Sequence, residues 1–302
     1  MSLVHMDQAM PTPRTCLELG RYQRLPTVWS NCLAGWWLGG AAHFGALPVL
    51  FASATCIYLG GALLNDALDA GFDRQHRRAR PIPAGQARER VVRQFGLGFL
   101  LAGVLLSVWQ AKLSGALSLA LVLLVVLYDA THRWFTLSPV LKGLCRFMVY
   151  LLGASMAGRG VTGWAIWCGV AMACYMTGAG YLARWQQTPH LIHPWPVFLL
   201  GAPVFFALVM NVDGYRRAGL LLCAVFLLWL ALCLRPAFWT RERHLERTIP
   251  GLSAGIVLVD WLAVGPVPPP WSPELSAPRP LSLTMLALFG LTLLLQRLTP
   301  ER

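Results

Sequence analysis

The chain alternates between long apolar runs and short joints that are basic or contain proline. A helix that crosses the hydrocarbon core of a bilayer needs about 20 mostly apolar residues, or somewhat fewer where the bilayer adapts. Ten runs approach this length, at residues 26–44, 46–65, 93–111, 113–130, 140–158, 161–183, 194–211, 217–235, 249–266 and 281–298. The pattern therefore predicts an all-α polytopic membrane bundle with nine to ten transmembrane helices.

The remaining segments are too short to form a second domain. Residues 1–25 are polar and basic and lack the order of a signal peptide, so we expect a cytosolic N-terminal segment. Residues 266–280 include three consecutive prolines and predict a non-cytosolic loop between the last two spans. Residues 26–302 are then a single transmembrane domain.

Composition and charge support this arrangement. The chain is 56% apolar and only 13% charged, with a mean hydropathy of +0.55, whereas a soluble domain has about 25% charged residues. With the N-terminus in the cytosol, 20 of the 25 Lys and Arg residues fall in cytosolic segments, as in oriented membrane proteins. This predicts a multi-pass protein of the cytoplasmic (inner) membrane. The net charge of +12 then faces anionic lipid or an anionic substrate, and we expect no nucleic acid partner.

An acidic cluster stands at the end of the second run. Asp66, Asp69 and Asp73 are spaced i, i+3 and i+7, which stacks three carboxylates on one helical face, with Asn65 beside Asp69. Like charges on adjacent turns repel, and Mg²⁺, which prefers carboxylate, water and phosphate oxygens, would relieve the repulsion. We predict that Asp66, Asp69 and Asp73 bind the metal and that Asp66 and Asp69 are also catalytic.

Arginines follow the acidic cluster within residues 66–92, the predicted cytosolic motif loop. The planar guanidinium groups of Arg74 and Arg80 suit phosphate oxygens, so these residues and Asn65 are predicted to bind a diphosphate. An ordinary charged loop in which acids and arginines pair with each other is the alternative. Three of only 13 acidic residues lie within eight positions, however, at a boundary where a carboxylate is costly unless it faces a polar cavity or ligand.

Two adjacent motifs carry a family resemblance. They read Asn65-Asp66-x-x-Asp69-x-x-x-Asp73 and Arg80-Pro81-Ile82-Pro83-Ala84-Gly85. Together they resemble the first aspartate-rich motif of the UbiA prenyltransferase superfamily and the segment after it, and the resemblance extends over residues 21–184. It implies helices around a central cavity that opens laterally to lipid. It also implies transfer of an isoprenoid group from its diphosphate to an aromatic or other lipophilic acceptor, with Mg²⁺ as cofactor.

A second resemblance points to one branch of that superfamily. The segments similar to the EboC-like branch are Tyr128-Asp129, Gly143-Leu144-Cys145-Arg146-Phe147 and Leu151-Leu152-Gly153. This branch is associated with gene clusters that move metabolic precursors across the cytoplasmic membrane. Membrane partner proteins are therefore among the expected partners.

Further polar residues near predicted helix ends are candidates for the same site. Asp129 ends the fourth run and is predicted to be catalytic, orienting the acceptor or taking its proton. Arg133, and Lys142 and Arg146 at i and i+4, are predicted to bind the diphosphate. Each also has a simpler interpretation, as an interfacial anchor or as a long side chain that extends to the headgroups.

The sequence departs from the family pattern at the end of the sixth run. UbiA enzymes carry a second aspartate-rich motif and a second Mg²⁺ there, but no Asp or Glu occurs between Asp129 and Asp213. Arg184 lies at this place instead. Either one Mg²⁺ suffices and Arg184 supplies the charge of the second, as a diphosphate ligand, or the diphosphate is bound without being ionised.

Two functions remain open at this point. The leading hypothesis is an intramembrane prenyltransferase that uses Mg²⁺, a prenyl diphosphate and a lipophilic acceptor. The alternative is a non-catalytic UbiA-like protein that binds a diphosphate or prenyl ligand and serves export of metabolite precursors, and the missing second motif is its best support. Asp260, an acid inside the ninth run, is a further functional candidate for which the sequence names no partner.

Overall fold

The apolar runs form helices in the computed structural model, which describes residues 13–185, 195–210, 216–238, 245–265 and 279–298. A short helix α1 (Pro13–Gly20) and a 3₁₀ turn (Tyr22–Arg24) come first. The longer helices are α2 (Leu25–Leu38), α3 (Ala46–His76), α4 (Glu89–Gln110), α5 (Lys112–Thr131), α6 (Ser138–Ser155), α7 (Gly163–Trp185), α8 (Trp195–Met210), α9 (Arg216–Phe238), α10 (Leu245–Val264) and α11 (Arg279–Leu298).

Each predicted run corresponds to one of the helices α2 to α11, so the all-α helical bundle is confirmed. Within the described ranges, six helices are long and apolar enough to cross a membrane alone, namely α3, α4, α5, α7, α9 and α11. Helices α8 and α10 contain shorter apolar stretches. The number of nine to ten spans therefore stays a prediction. The predicted loop 266–280 lies outside the described residues up to position 278.

Helix α3 is longer than the sequence pattern indicates. The second run was expected to end at residue 65 and residues 66–92 to form a loop, but the helix continues through the acidic cluster to His76. Only residues 77–88 separate it from α4. Good helix formers between the acids, Ala67 and Leu68 among them, favour the helix. Pro81 then excludes the α conformation for Arg80 and ends any continuation.

Helices α2 and α6 pack so closely that only glycine fits between them at two positions. A Cβ atom added at Gly35 would lie 2.3 Å from the backbone oxygen of Tyr150, and one at Gly153 would lie 2.6 Å from a backbone oxygen of α2. Small residues allow such approach between membrane helices. One turn before Gly35 on α2 and one turn before Tyr150 on α6, the same packing brings Asn31 against Arg146.

Helix α10 lies inside the bundle, packed against α2, α7, α9 and α11. Its Ile256, Val257 and Asp260 are buried. The outer helices α4 and α5 instead present exposed large apolar side chains, such as Leu101 and Leu123, as expected for a surface that contacts lipid. The bundle therefore has buried polar residues in its interior, where α2 meets α10, and an apolar outer face.

Candidate functional site

A cavity of about 930 Å³ lies between α2, α3, α5, α6 and α7, with two side chains from α10. Its lining changes from apolar to polar toward the C-terminal ends of α3, α5 and α7 and toward the N-terminal end of α6. The apolar part includes Ala54 and Ile57 of α3, Leu121 and Val125 of α5, and Val149 of α6. The polar part lies at the opposite end, where α3 ends, which we call the motif end of the cavity.

The motif end brings together eight of the eleven predicted site residues. They are Asn65, Asp69, Arg80, Asp129, Arg133, Lys142, Arg146 and Arg184. These residues come from α3, α5, α6, α7 and the loops after α3 and α5, so they are far apart in sequence. The remaining three predicted residues, Asp66, Asp73 and Arg74, do not line the cavity.

The acidic face of α3 is bound by arginines from outside the helix. Arg21 donates from Nη2 to Oδ1 of Asp66 at 2.5 Å and to Oδ1 of Asn65 at 2.9 Å. Arg80, in the loop after α3, donates to the same Asp66 oxygen at 3.1 Å and lies 3.5 Å from Oδ2 of Asp73. Two arginines thus neutralise two of the three carboxylates.

Asp69 is held by the loop after α5. Arg133 donates from Nη2 to the carboxylate of Asp69 at 2.5 Å and to its backbone oxygen at 3.2 Å. The guanidinium of Arg133 also lies 4.5 Å from the ring centre of Phe72, and Nε2 of His132 lies 3.6 Å from the Asp69 carboxylate. Asp69 is the carboxylate of the α3 cluster that faces the cavity.

These ion pairs correct the prediction that a metal ion alone relieves the repulsion between the carboxylates. In the part of the chain that the structure describes, no three Asp, Glu, His or Cys side chains are placed to hold a metal by themselves. Asp73, predicted as a ligand, is 2% exposed and lies outside the cavity lining. Mg²⁺ at phosphate sites typically uses one or two carboxylates and completes its shell with phosphate and water oxygens. The donor set around Asp69 therefore fits an ion shared with a phosphate ligand.

Asp129 faces the cavity from the end of α5. It is 6% exposed, and Asn65 donates from Nδ2 to its Oδ1 at 3.2 Å. Its Oδ2 atom is buried and has no hydrogen-bond partner among the described residues. A buried carboxylate oxygen without a partner is unfavourable unless a ligand supplies a donor. Asp129 is thus placed to accept a hydrogen bond or a proton from a bound molecule.

The opposite wall of the motif end is cationic. Lys142 and Arg146 of α6 and Arg184 of α7 all line the cavity. Arg184 donates from Nη1 to the backbone oxygen of Phe135 at 2.8 Å and to Oγ of Ser138 at 3.3 Å. A positive charge therefore stands where the family pattern has its second acidic motif.

Arg74 does not belong to this site. Its side chain is 55% exposed and donates to Glu89 at 2.8 Å, joining the end of α3 to the start of α4. The residue follows Asp73 directly, and on a helix the next position points about 100° away from its neighbour. The structure therefore does not bring Arg74 to the cavity, and its role as a diphosphate ligand stays a prediction.

Arg21 is a site residue that the sequence reasoning missed, because it belongs to the segment 1–25 that was predicted as a cytosolic lead-in. Its backbone has a φ of 45°, and the hydroxyl of Tyr58 donates to its backbone oxygen at 3.1 Å. Both features depend on contacts with α3. No signal in the local sequence identifies them.

Comparison with known proteins assigns the sequence to a family. The model of the UbiA prenyltransferase family matches residues 25–298. A 4-hydroxybenzoate octaprenyltransferase of Acidovorax ebreus is 31% identical over 163 residues, which cover 50% of this chain and 55% of that protein. A digeranylgeranylglyceryl phosphate synthase of Ignicoccus hospitalis is 31% identical over 120 residues, covering 40% of this chain and 39% of that protein. The chain thus spans about half the length of the curated relatives it matches.

Solved structures resemble the whole bundle. A structure described as digeranylgeranylglyceryl phosphate synthase in membranes has a TM-score of 0.60 at 14% identity, over 92% of this chain and 98% of that chain. A UbiA homologue from Archaeoglobus fulgidus bound to GPP and Mg²⁺ has a TM-score of 0.51 at 14% identity, over 93% and 99%. These likenesses establish the fold.

Proposed function

The chain belongs to the UbiA prenyltransferase family, and on that basis we propose that it transfers an isoprenoid group from its diphosphate to a lipophilic acceptor within the membrane. The observation that carries the proposal is the single cavity with two chemically different ends. Its apolar part suits an isoprenoid chain, and its motif end presents two carboxylates and at least five cationic side chains. The same ligand, a prenyl diphosphate, requires both.

The diphosphate lies at the motif end in this proposal. Arg80 and Arg133 line it on the α3 side, and Lys142, Arg146 and Arg184 line it on the other side. Guanidinium groups bind phosphate oxygens in pairs, and a low-dielectric wall strengthens each of these contacts. Since the arginines are already held by carboxylates or backbone oxygens, little side-chain freedom is lost when the ligand binds.

Asp69, the carboxylate of α3 that faces the cavity, would hold Mg²⁺ together with phosphate oxygens, while Asp66, one turn earlier, is bound by Arg21 and Arg80. When bound, the ion supplies positive charge that stabilises the departing diphosphate. Arg184 supplies further positive charge from α7, and its two hydrogen bonds to the loop before α6 fix the guanidinium in place. We therefore assign Arg184 the role that a second metal has in the family pattern.

Asp129 is proposed to act on the acceptor. Its Oδ1 is oriented by Asn65, so that the unpartnered Oδ2 is available to take a proton from an acceptor hydroxyl. The apolar lining next to it, with Leu121 and Val125 of the same helix, excludes water from the reacting carbon. Exclusion of water favours transfer to the acceptor over hydrolysis.

Membrane insertion follows from the family and from the six long apolar helices. We further propose that the protein lies in the inner membrane with its N-terminus and its motif end in the cytosol, because the excess of Lys and Arg falls on that side. Assignment to the EboC-like branch, with export partners in the membrane, is proposed from the segments around Tyr128 and Gly143 alone.

The test is release of diphosphate by purified protein in lipid nanodiscs, with labelled prenyl diphosphates of several lengths, with and without Mg²⁺ and a phenolic acceptor. We expect Mg²⁺-dependent release that is lost in Asp69→Ala. Arg74→Ala is the matched control, because its exposed ion pair lies outside the cavity. Tight binding without release for every donor and acceptor would favour the alternative, a non-catalytic protein that binds a diphosphate or prenyl ligand.

A further inference from the structure

A chain of buried polar side chains links the cavity wall to the centre of the bundle. Arg146 of α6 donates from Nη1 to Oδ1 of Asn31 of α2 at 2.6 Å. Asn31 in turn donates from Nδ2 to both carboxylate oxygens of Asp260 of α10, at 2.8 and 2.7 Å. The hydroxyl of Tyr150 also donates to Asp260. Asn31, Tyr150 and Asp260 are fully buried, and Ser30 is a further hydrogen-bonding neighbour of Asp260, so several side chains hold the acid for which the sequence names no partner.

The carboxylate determines which way the Asn31 amide points. An ionised carboxylate accepts hydrogen bonds and donates none, so the NH₂ group of Asn31 must face Asp260. The amide oxygen then faces Arg146, which can only donate. With an amide at position 260, one of the two oxygens that accept from Asn31 is replaced by an NH₂ group that cannot accept, so the Asn31 amide has to shift away from it. The position of one buried amide thus depends on the carboxylate of Asp260.

The Asn31 contact fixes Arg146 against α2. Arg146 also donates to the backbone oxygen of Thr27 at 2.9 Å and to its Oγ1 at 3.0 Å. These bonds use both hydrogens of Nη1 and one hydrogen of Nη2. The N–H groups left for a ligand are those of Nε and Nη2, neighbouring nitrogens that form the fork suited to two phosphate oxygens. Arg146 lines the cavity, and these are the N–H groups that its hydrogen bonds to α2 leave for a ligand there.

We propose that Asp260 is a positioning residue for diphosphate binding: through Asn31 it holds Arg146 in the orientation that presents this fork to the cavity. The inference rests on the proposed function, since it assumes that the cavity takes a diphosphate. A charge deep in a membrane bundle is costly and needs a role beyond packing. Here that role is exerted on Arg146, two hydrogen bonds away from Asp260.

The test measures equilibrium binding of a labelled prenyl diphosphate to protein in nanodiscs. In Asp260→Asn, which keeps the size of the side chain, we expect the dissociation constant to rise about tenfold or more, the effect of one misplaced charge-assisted hydrogen bond. In the Arg146→Gln background, the added Asp260→Asn change should have no further effect on the dissociation constant, because the residue that Asp260 positions is already absent. In the Arg184→Gln background, the Asp260→Asn change should raise the dissociation constant by the same factor as in the wild type.

An exchange variant distinguishes positioning from a general loss of stability. Asn31→Asp combined with Asp260→Asn moves the carboxylate next to Arg146 and lets the new amide donate to it, so Arg146 and Tyr150 still donate as before and only the hydrogen bond between positions 31 and 260 changes direction. We expect this pair of changes to restore binding to near the wild-type value. Tyr150→Phe should lower the melting temperature and leave the binding constant within about twofold, because the Asp260–Asn31–Arg146 connection remains.

The outcomes separate the two claims. If the wild type binds and the Asp260→Asn protein binds equally well, the positioning role is overturned and the proposed function stands. The same holds if the Asp260→Asn change weakens binding by the same factor in the Arg146→Gln and Arg184→Gln backgrounds. If the wild type binds no prenyl diphosphate, the proposed function fails first and this inference with it. Because the readout is binding, absence of turnover does not affect the result.

Discussion

Replacing Arg184 by glutamine tests whether a protein cation substitutes for the second metal site of the family pattern. Arg184 is anchored by the Phe135 backbone oxygen at 2.8 Å and by Ser138 Oγ at 3.3 Å. The anchors hold the charge at the cavity wall before any ligand arrives. Glutamine keeps a polar side chain of moderate length and removes only the charge and the guanidinium donors.

The expected magnitude follows from what a preoriented donor contributes to a transition state. Loss of one such group from an active site lowers kcat by about 10²- to 10³-fold, or about 2.7–4 kcal/mol. In the proposed complex the ground-state diphosphate keeps its contacts with Arg80, Arg133 and Lys142, which line the same cavity. We therefore expect KM to change much less than kcat, because the charge that develops on the leaving group is what Arg184 stabilises.

The assay is steady-state release of labelled diphosphate in nanodiscs, with Arg74→Gln as the control that changes an exposed arginine outside the cavity. A second variant, Arg184→Asp, introduces the carboxylate that the family pattern has in this region, and its activity should depend more steeply on Mg²⁺ than that of the wild type. If Arg184→Gln turns over at the wild-type rate, Arg184 does not replace a metal and the reasoning is refuted.

Three further predictions concern the acceptor, the metal and the packing. Asp129→Asn should lower kcat about 10²- to 10⁴-fold and leave prenyl diphosphate binding unchanged, and a weakened Kd with unchanged kcat would contradict its role. Calorimetric titration with Mg²⁺ should show saturable binding only with a non-cleavable prenyl diphosphate analogue present, and tight binding to the ligand-free protein would contradict the shared site. Gly35→Ala should lower the melting temperature, with an overpacking cost of about 1–3 kcal/mol, because its Cβ would lie 2.3 Å from Tyr150 O. Gly98→Ala, which meets nothing within 4 Å, should not.

The fold was predictable where one local property decides the structure. Ten apolar runs became ten helices because apolar length and hydrogen-bond satisfaction leave a membrane segment few alternatives. Helix α3 extends beyond the predicted boundary at residue 65 because that boundary marked the end of the apolar run, although the spacing of the three acids already indicated a helical face. The helix tolerates them because Arg21, Arg80 and Arg133 neutralise the carboxylates from elsewhere in the chain.

The residue types that form the site could be predicted from the sequence, but most of the contacts between them could not. Helical spacing placed Asp66 and Asp69 on one face, whereas Arg74 was added only because it is close in sequence, and it projects from another face of α3 to Glu89. The partners of Asp66 and Asp260 lie 45 and 229 positions away in the chain. Nothing in the local sequence encodes such pairs, because they arise only when the segment before α2 packs against α3 and when α2 packs against α10.

The most direct test of the central claim is a single-turnover experiment with protein in excess over a labelled prenyl diphosphate, so that every donor molecule is bound. The donor is labelled in both its prenyl and its diphosphate parts, acceptor and Mg²⁺ are added together, and the label is separated into intact donor, free diphosphate and prenylated acceptor. The account predicts that free diphosphate and prenylated acceptor appear together in equal amounts, and only with Mg²⁺. Recovery of all the label as intact donor, still bound to the protein, would contradict it.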